Sequence, residues 1–280
     1  MVQINLIKSN KSDSLDNTKS KVLSQYPFVL IIGRTGSGKT TKSLELIQEY
    51  LNTNRARWVV IFSPTSKFDK TLHTKIADIC KVKKVGFNDD FDSNLSFVTF
   101  YDSLSSLTYF TNKFMEEIDE LDKKIEQEES AIKNLENMIK YRISCEYKDD
   151  EFTSMDGLKS ALVFRKKRLE WYDSLKADHS ILFMIDDSTG DKMLGKSKGN
   201  PLFDLILARR HINASIFMPI HNYKSLIKPL RTQVNHYFLS FMSDENIKLI
   251  WQDLPVSDLR DFEEFSEKIK NLDKYEWFAV

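Results

Sequence analysis

Gly33-Arg34-Thr35-Gly36-Ser37-Gly38-Lys39-Thr40 satisfies G-x-x-x-x-G-K-[ST] at every fixed position. It follows an apolar run, "FVLII", and opens a stretch with helical periodicity, which is the context this pattern requires. Glycines let successive backbone N–H groups turn inward around phosphate oxygens, and a helix N-terminus adds free donors and a favourable dipole. The expected cradle runs through Gly33, Arg34, Thr35, Gly36, Ser37, Gly38, Lys39, Thr40 and Thr41. Lys39 would bridge the β- and γ-phosphates, and the Thr40 hydroxyl would sit on Mg²⁺.

A second group of residues could use a phosphate so held. Asp186 and Asp187 end the apolar run "ILFMI". A carboxylate at the end of a buried strand is costly unless it is paired, and a metal-bound nucleotide supplies the partner. Asp186 would then hold Mg²⁺ through water, and Asp187 would act as general base on the attacking water. A strand-end acid pair that simply caps a turn is the plainer reading. The strand "ASIFMPI" runs into His221, which could sense the γ-phosphate and orient water, or merely start a turn with Asn222. Arg209, Arg210 and Arg231 surround this unit. An arginine such as Arg231 could reach a neighbouring subunit's γ-phosphate, or pair with a nearby acid.

These residues need a frame. Continuous apolar runs at Phe28–Gly33, Arg57–Pro64, Leu95–Phe100, Ile181–Asp187, Ala214–Ile220 and His236–Phe241 read as buried strands. Helical segments alternate with them. The pattern predicts an α/β fold, a mostly parallel central sheet flanked by helices. "KYEWFAV" could add an edge strand, and residues 1–24 read as a polar arm or edge strand. Between Asn112 and Arg142 apolar residues step by four and three, from Phe114 to Ile139, with Glu128 interrupting the series. That is a heptad seam on a long helix. A second helix over 158–176 would fold back on it. The expected organisation is an N-terminal arm (1–24), a core (25–110 and 177–280) and an inserted antiparallel helical hairpin (111–176).

Composition narrows the classes. The 41 basic and 41 acidic residues cancel, which excludes a uniformly basic nucleic-acid coat but not a local patch. Two cysteines without C-x-x-C spacing argue against a disulfide framework and a zinc knuckle. No run is long enough to span a bilayer, so membrane insertion is not expected. "FRKKRLEW" (Phe164–Trp171) and "KMLGKSKGN" are basic enough to touch nucleic acid, or to be a solvated face and a surface loop. No N-K-x-D string reads a guanine base, since "NLDK" has Leu where Lys belongs. The residues alone indicate a nucleotide hydrolase that uses ATP. A nucleoside or nucleotide kinase, or a nucleotide-gated assembly protein, remains an alternative.

With these elements in order, the chain resembles the genome-packaging ATPases of large eukaryotic DNA viruses and virophages, the poxvirus-type branch of the FtsK–HerA superfamily. The resemblance rests on "IIGRTGSGKT", "VVIFSPT", "ILFMIDD" and "RRHINASIFMPIHNYKSLIKPLRTQVNHYFL". This family usually carries Gln at the sensor position, where this chain has His221. The resemblance implies a homo-oligomeric ring that pumps double-stranded DNA into a preformed capsid. It also implies capsid or other virion proteins as partners, and a place at the cytoplasmic assembly site of the host cell or in the virion.

Overall fold

Four runs of five to seven residues, rich in Val, Ile, Phe and Met, leave no polar face, so they form strands only where both faces are covered. They become β2 (Phe28–Ile32), β3 (Trp58–Phe62), β6 (Ile181–Ile185) and β7 (Ala214–Ile220), and every residue in them is buried. The computed structural model describes residues 6–8, 23–24, 26–53, 55–63, 70–83, 86–87, 97–101, 107–144, 154–186, 200–254 and 261–280. Among these, the remaining strands are β1 (Leu6–Lys8), β4 (Gly86–Phe87), β5 (Phe97–Tyr101), β8 (His236–Leu239) and β9 (Glu276–Ala279).

One nine-stranded sheet results, in the order β1-β9-β8-β2-β7-β6-β3-β5-β4. Pairing is parallel from β8 to β4, and antiparallel where β9 joins β8 and β1. The α/β reading with a mostly parallel sheet is borne out. "KYEWFAV" does supply a strand, yet β9 is internal, because β1 pairs along its outer side.

Helix α1 (Lys39–Asn52) buries Leu44, Ile47 and Leu51, the stripe its periodicity predicts, together with Leu46 and Tyr50. Tyr50 meets Phe217 of β7 edge-to-face at 5.0 Å, which fixes the helix on the sheet. Helices α2 (Lys70–Lys83), α5 (Pro201–Ala208), α6 (Lys228–Arg231), α7 (Asp244–Asp253) and α8 (Phe262–Lys270) complete this part of the chain. Asn200 caps α5 by accepting from Leu202 N, with Pro201 at the first turn.

At the N-terminal ends of the parallel strands, Arg209 is built into the frame. Its guanidinium is buried and donates to Ile206 O at 2.6 Å and Asn235 Oδ1 at 2.9 Å, and burial lowers its pKa. Asn235 Oδ1 also accepts from Phe28 N. Nearby, His236 Nε2 accepts from Ser24 N at 3.0 Å, so the ring is neutral with its proton on Nδ1.

Burial lowers the His236 pKa below its ordinary 6.5. The charged form is therefore disfavoured only in the folded chain. Its contribution to stability is present above the unfolded pKa and is lost as pH falls through 6.5 towards the depressed folded value. The thermal midpoint should drop between pH 7.5 and 5.5, and His236→Gln, which keeps an acceptor but does not titrate, should flatten that slope. An unchanged slope in the variant would remove His236 from this role.

The chain divides into two compact units, Met1–Phe110 with Ser180–Val280, and Thr111–His179. The second consists of most of α3 (Leu107–Ser144) and of α4 (Met155–Asp178). These helices are longer than the predicted 112–142 and 158–176. They run antiparallel, as the pairs Glu117–His179, Asp122–Lys176 and Glu128–Arg165 require. Phe114, Ile118, Ile132 and Leu158 are buried in the seam. Glu128 occupies a seam position and is 3 % exposed. Arg165 Nη1 donates to both of its carboxylate oxygens at 3.0 Å, and Arg168 Nη2 lies 3.1 Å from Oε1. Lys166 pairs with Glu136 at 2.9 Å. Three of the four basic residues in "FRKKRLEW" thus hold the hairpin's own acids, which favours the solvated-face reading of that stretch. The basic loop "KMLGKSKGN" lies outside the described residues, apart from Asn200.

Candidate nucleotide site

Parallel strands expose their carboxyl ends together, and that rim is where α/β sheets bind ligands. Here the rim brings Gly33 from β2, Asp186 from β6, His221 from β7 and Ser240 from β8 into one region. The strand β7 lies between β2 and β6. Its last residue therefore delivers His221 between the phosphate loop and the acid.

The loop from Gly33 to Gly38 is shaped by close approach. A Cβ on Gly33 would lie 2.5 Å from Ser37 Oγ and 3.0 Å from Ser240 Cβ, so a larger residue would have to displace both serine side chains. Gly38 takes φ +87°, a left-handed conformation that glycine adopts at little cost. It is the N-cap of α1 and leaves the helix without a side-chain cap. The first-turn N–H groups are thus left for an anion rather than for the protein's own carboxylate.

Lys39, the first residue of α1, is 7 % exposed. Its ammonium donates to Gly33 O, Arg34 O and His221 Nδ1, each at 2.9 Å. An ammonium has no acceptor, so Nδ1 must carry the lone pair and His221 Nε2 the hydrogen. His221 Nδ1 also lies 3.4 Å from Thr35 Oγ1. The neighbouring Asn222 does something different: it is exposed and caps the following turn by accepting from Lys224 N. Of the two polar residues after β7, only His221 joins the loop.

Thr40 Oγ1 donates to Asp186 Oδ2 at 3.5 Å. Asp186 is 8 % exposed, and its backbone N–H is fixed by Phe62 O at 2.8 Å. A hydroxyl and a buried carboxylate meeting at the first turn of α1 is a donor set for a small hard cation. Asp187, the expected general base, lies outside the described residues.

Arg231 is placed elsewhere. Its Nε lies 3.3 Å from Asp253 Oδ2, and its guanidinium packs over the Tyr223 ring at 5.1 Å. Tyr223 OH donates to the same Asp253 Oδ2 at 3.0 Å and lies 3.3 Å from Tyr237 OH. Burial pushes the Tyr223 phenol up, and the Tyr237 phenol up to about 12, so both stay neutral donors. This cluster pins the segment that follows His221 to α7 and β8.

Three neighbours of the loop went unmarked in the sequence: Ser240 against Gly33, Phe241 beneath Arg34, and Tyr275 against Gly38. They come from the C-terminal strands, and no spacing rule ties them to the motif.

Residues 147–264 match the family model described as Poxvirus A32 protein, less than half of the chain and without the phosphate loop. Curated protein sequences give no match. Among solved structures, the genome packaging NTPase B204 from Sulfolobus turreted icosahedral virus 2, in complex with AMP, aligns with a TM-score of 0.52 at 11% identity. That alignment covers 92% of this chain and 93% of that one. B204, the DNA-packaging ATPase from Sulfolobus turreted icosahedral virus, aligns at 13% identity over 92% and 93% of the two chains, with a TM-score of 0.49. The pCW3 conjugation coupling protein TcpA aligns at 12% identity over 99% of this chain and 65% of that one, with a TM-score of 0.44. The B204–AMP complex shares the fold. The matched stretch contains the strands that bring Asp186 and His221 to the rim, and over it the chain is similar to the poxvirus A32 proteins, in line with the resemblance its motifs carry.

Proposed function

We propose that this protein is an ATPase that drives double-stranded DNA into a preformed viral capsid. The observation that carries the reading is the convergence of Lys39, Thr40, Asp186 and His221 where β2, β6 and β7 end. The family match over 147–264, together with the resemblance carried by the motifs, supports reading the nucleotide site as that of a packaging ATPase. The structural relatives support nucleotide binding, since B204 is described in complex with AMP.

In this reading the backbone from Gly33 to Thr41 and Lys39 hold the triphosphate of ATP. Thr40 and Asp186 hold Mg²⁺, which neutralises phosphate charge when bound; the hydroxyl–carboxylate pair at 3.5 Å fits its preference for oxygen ligands. Asp187 takes the proton of the attacking water. His221, with its hydrogen on Nε2, donates to the γ-phosphate or the water, the part that Gln usually plays in the family. Arg231 acts on a neighbouring subunit in a homo-oligomeric ring, which requires its pair with Asp253 to open. Capsid proteins at the cytoplasmic assembly site, or in the virion, complete the partners. No helix among the described residues is long and apolar enough to cross a membrane.

The test is the ATPase rate with and without linear double-stranded DNA, on material separated by oligomeric state. Stimulation by DNA, confined to the oligomer, is the expected result. Phosphate transfer to an added nucleoside, with no response to DNA, would make it a kinase. Slow hydrolysis indifferent to DNA would make it a nucleotide-gated assembly protein.

A further inference from the structure

The two sides of the phosphate loop differ in chemistry. On the side of β7 and β6 stand His221, Thr35 and Asp186, polar groups suited to the terminal phosphate. On the side of β8 and β9 stand two aromatic rings. Phe241 follows β8 and is 37 % exposed; the Arg34 guanidinium lies over its ring at 4.2 Å. Tyr275 precedes β9 and is 43 % exposed. A Cβ built on Gly38 would lie 2.8 Å from its Cδ1. The register Phe238–Ala279 and Leu239–Phe278 carries both rings to the same end of the β8–β9 pair as the loop.

Tyr275 also holds φ at +75°. A bulky side chain in that region is a true outlier. Such strain persists where the surroundings demand it, often at ligand sites. Lys274, exposed on a flexible stem, holds its ammonium 5.0 Å from the ring centroid and can be displaced.

A triphosphate whose last phosphate faces His221 and Asp186 must send its nucleoside away from β6 and β7, towards β8 and β9. We infer that Tyr275 is the stacking platform for the purine base of the bound nucleotide, with the Arg34–Phe241 pair as the flanking wall. This rests on the proposed nucleotide site. The aromatic face sets base affinity, while the loop sets triphosphate affinity, and the two can be separated by measurement.

Calorimetric binding of ATP and of inorganic tripolyphosphate to the full chain separates them. Stacking of a base on an aromatic side chain is worth enough that Tyr275→Ala should weaken ATP roughly tenfold or more. It should leave tripolyphosphate unchanged. Tyr275→Phe and Tyr275→Trp should both retain ATP affinity, because they keep the face and lose only the hydroxyl. Equal weakening of ATP and tripolyphosphate would mean that Tyr275 merely props the loop, and would overturn the inference, as would unchanged ATP binding in Tyr275→Ala. Failure of the wild type to bind either ligand would instead defeat the nucleotide site itself.

Discussion

Lys39→Ala should reduce ATP affinity and turnover by roughly 30- to 5,000-fold, the equivalent of about 2–5 kcal/mol for truncating one partner of a buried charge pair. Lys39 is nearly inaccessible, and hydrogen bonds to Gly33 O, Arg34 O and His221 Nδ1 aim its ammonium along the loop. An incoming phosphate meets a charge that is positioned and largely desolvated. Removing it leaves Gly33 O, Arg34 O and His221 Nδ1 without this donor, so His221 also loses the contact that fixes its tautomer. Single-turnover hydrolysis and ATP titration of a variant whose melting curve matches wild type would check this. Wild-type affinity in that variant would mean that the cradle is only a turn.

Asp187→Asn should separate binding from chemistry. If Asp187 takes the proton of water, the amide loses basicity while keeping size and polarity. Turnover should fall by about 10²–10⁴, the usual worth of a positioned general base, with ATP affinity kept. Asp186→Asn differs, because Asp186 stands beside Thr40 at the proposed metal position, so the Mg²⁺ concentration needed for hydrolysis should rise. If Asp187→Asn hydrolysed ATP at the wild-type rate, the base would have to be another group, with His221 the first to examine.

The central strands were legible because burial on both faces demands unbroken apolar runs. Ala214–Ile220 matches β7 residue for residue, and Ile181–Ile185 became β6. The phosphate loop was legible because its glycines and lysine are local demands. Relations across the sheet were not. No spacing says that β7 separates β2 from β6, although that order is what sets His221 against Lys39. Gly86–Phe87 pairs at the far edge as β4, too short for any periodicity to register. Arg231 showed as a charge near the site, but its partner Asp253 sits on α7, and a sequence does not name the acid that an arginine will choose. Tyr275 was invisible as a loop neighbour for the same reason.

Glu128 stood out in the sequence only as a break, since an acid in a heptad seam looks like a flaw. Its pairing with Arg165 and Arg168 has a mechanical consequence. Sliding one helix past the other by a heptad would restore apolar matching elsewhere, yet would carry both arginines about 10 Å from the carboxylate. A buried charge stranded in that way is heavily penalised. The two helices therefore have one stop rather than a series of equivalent ones. Under load along its axis the pair would behave as a strut of fixed length, yielding by unfolding sooner than by slipping.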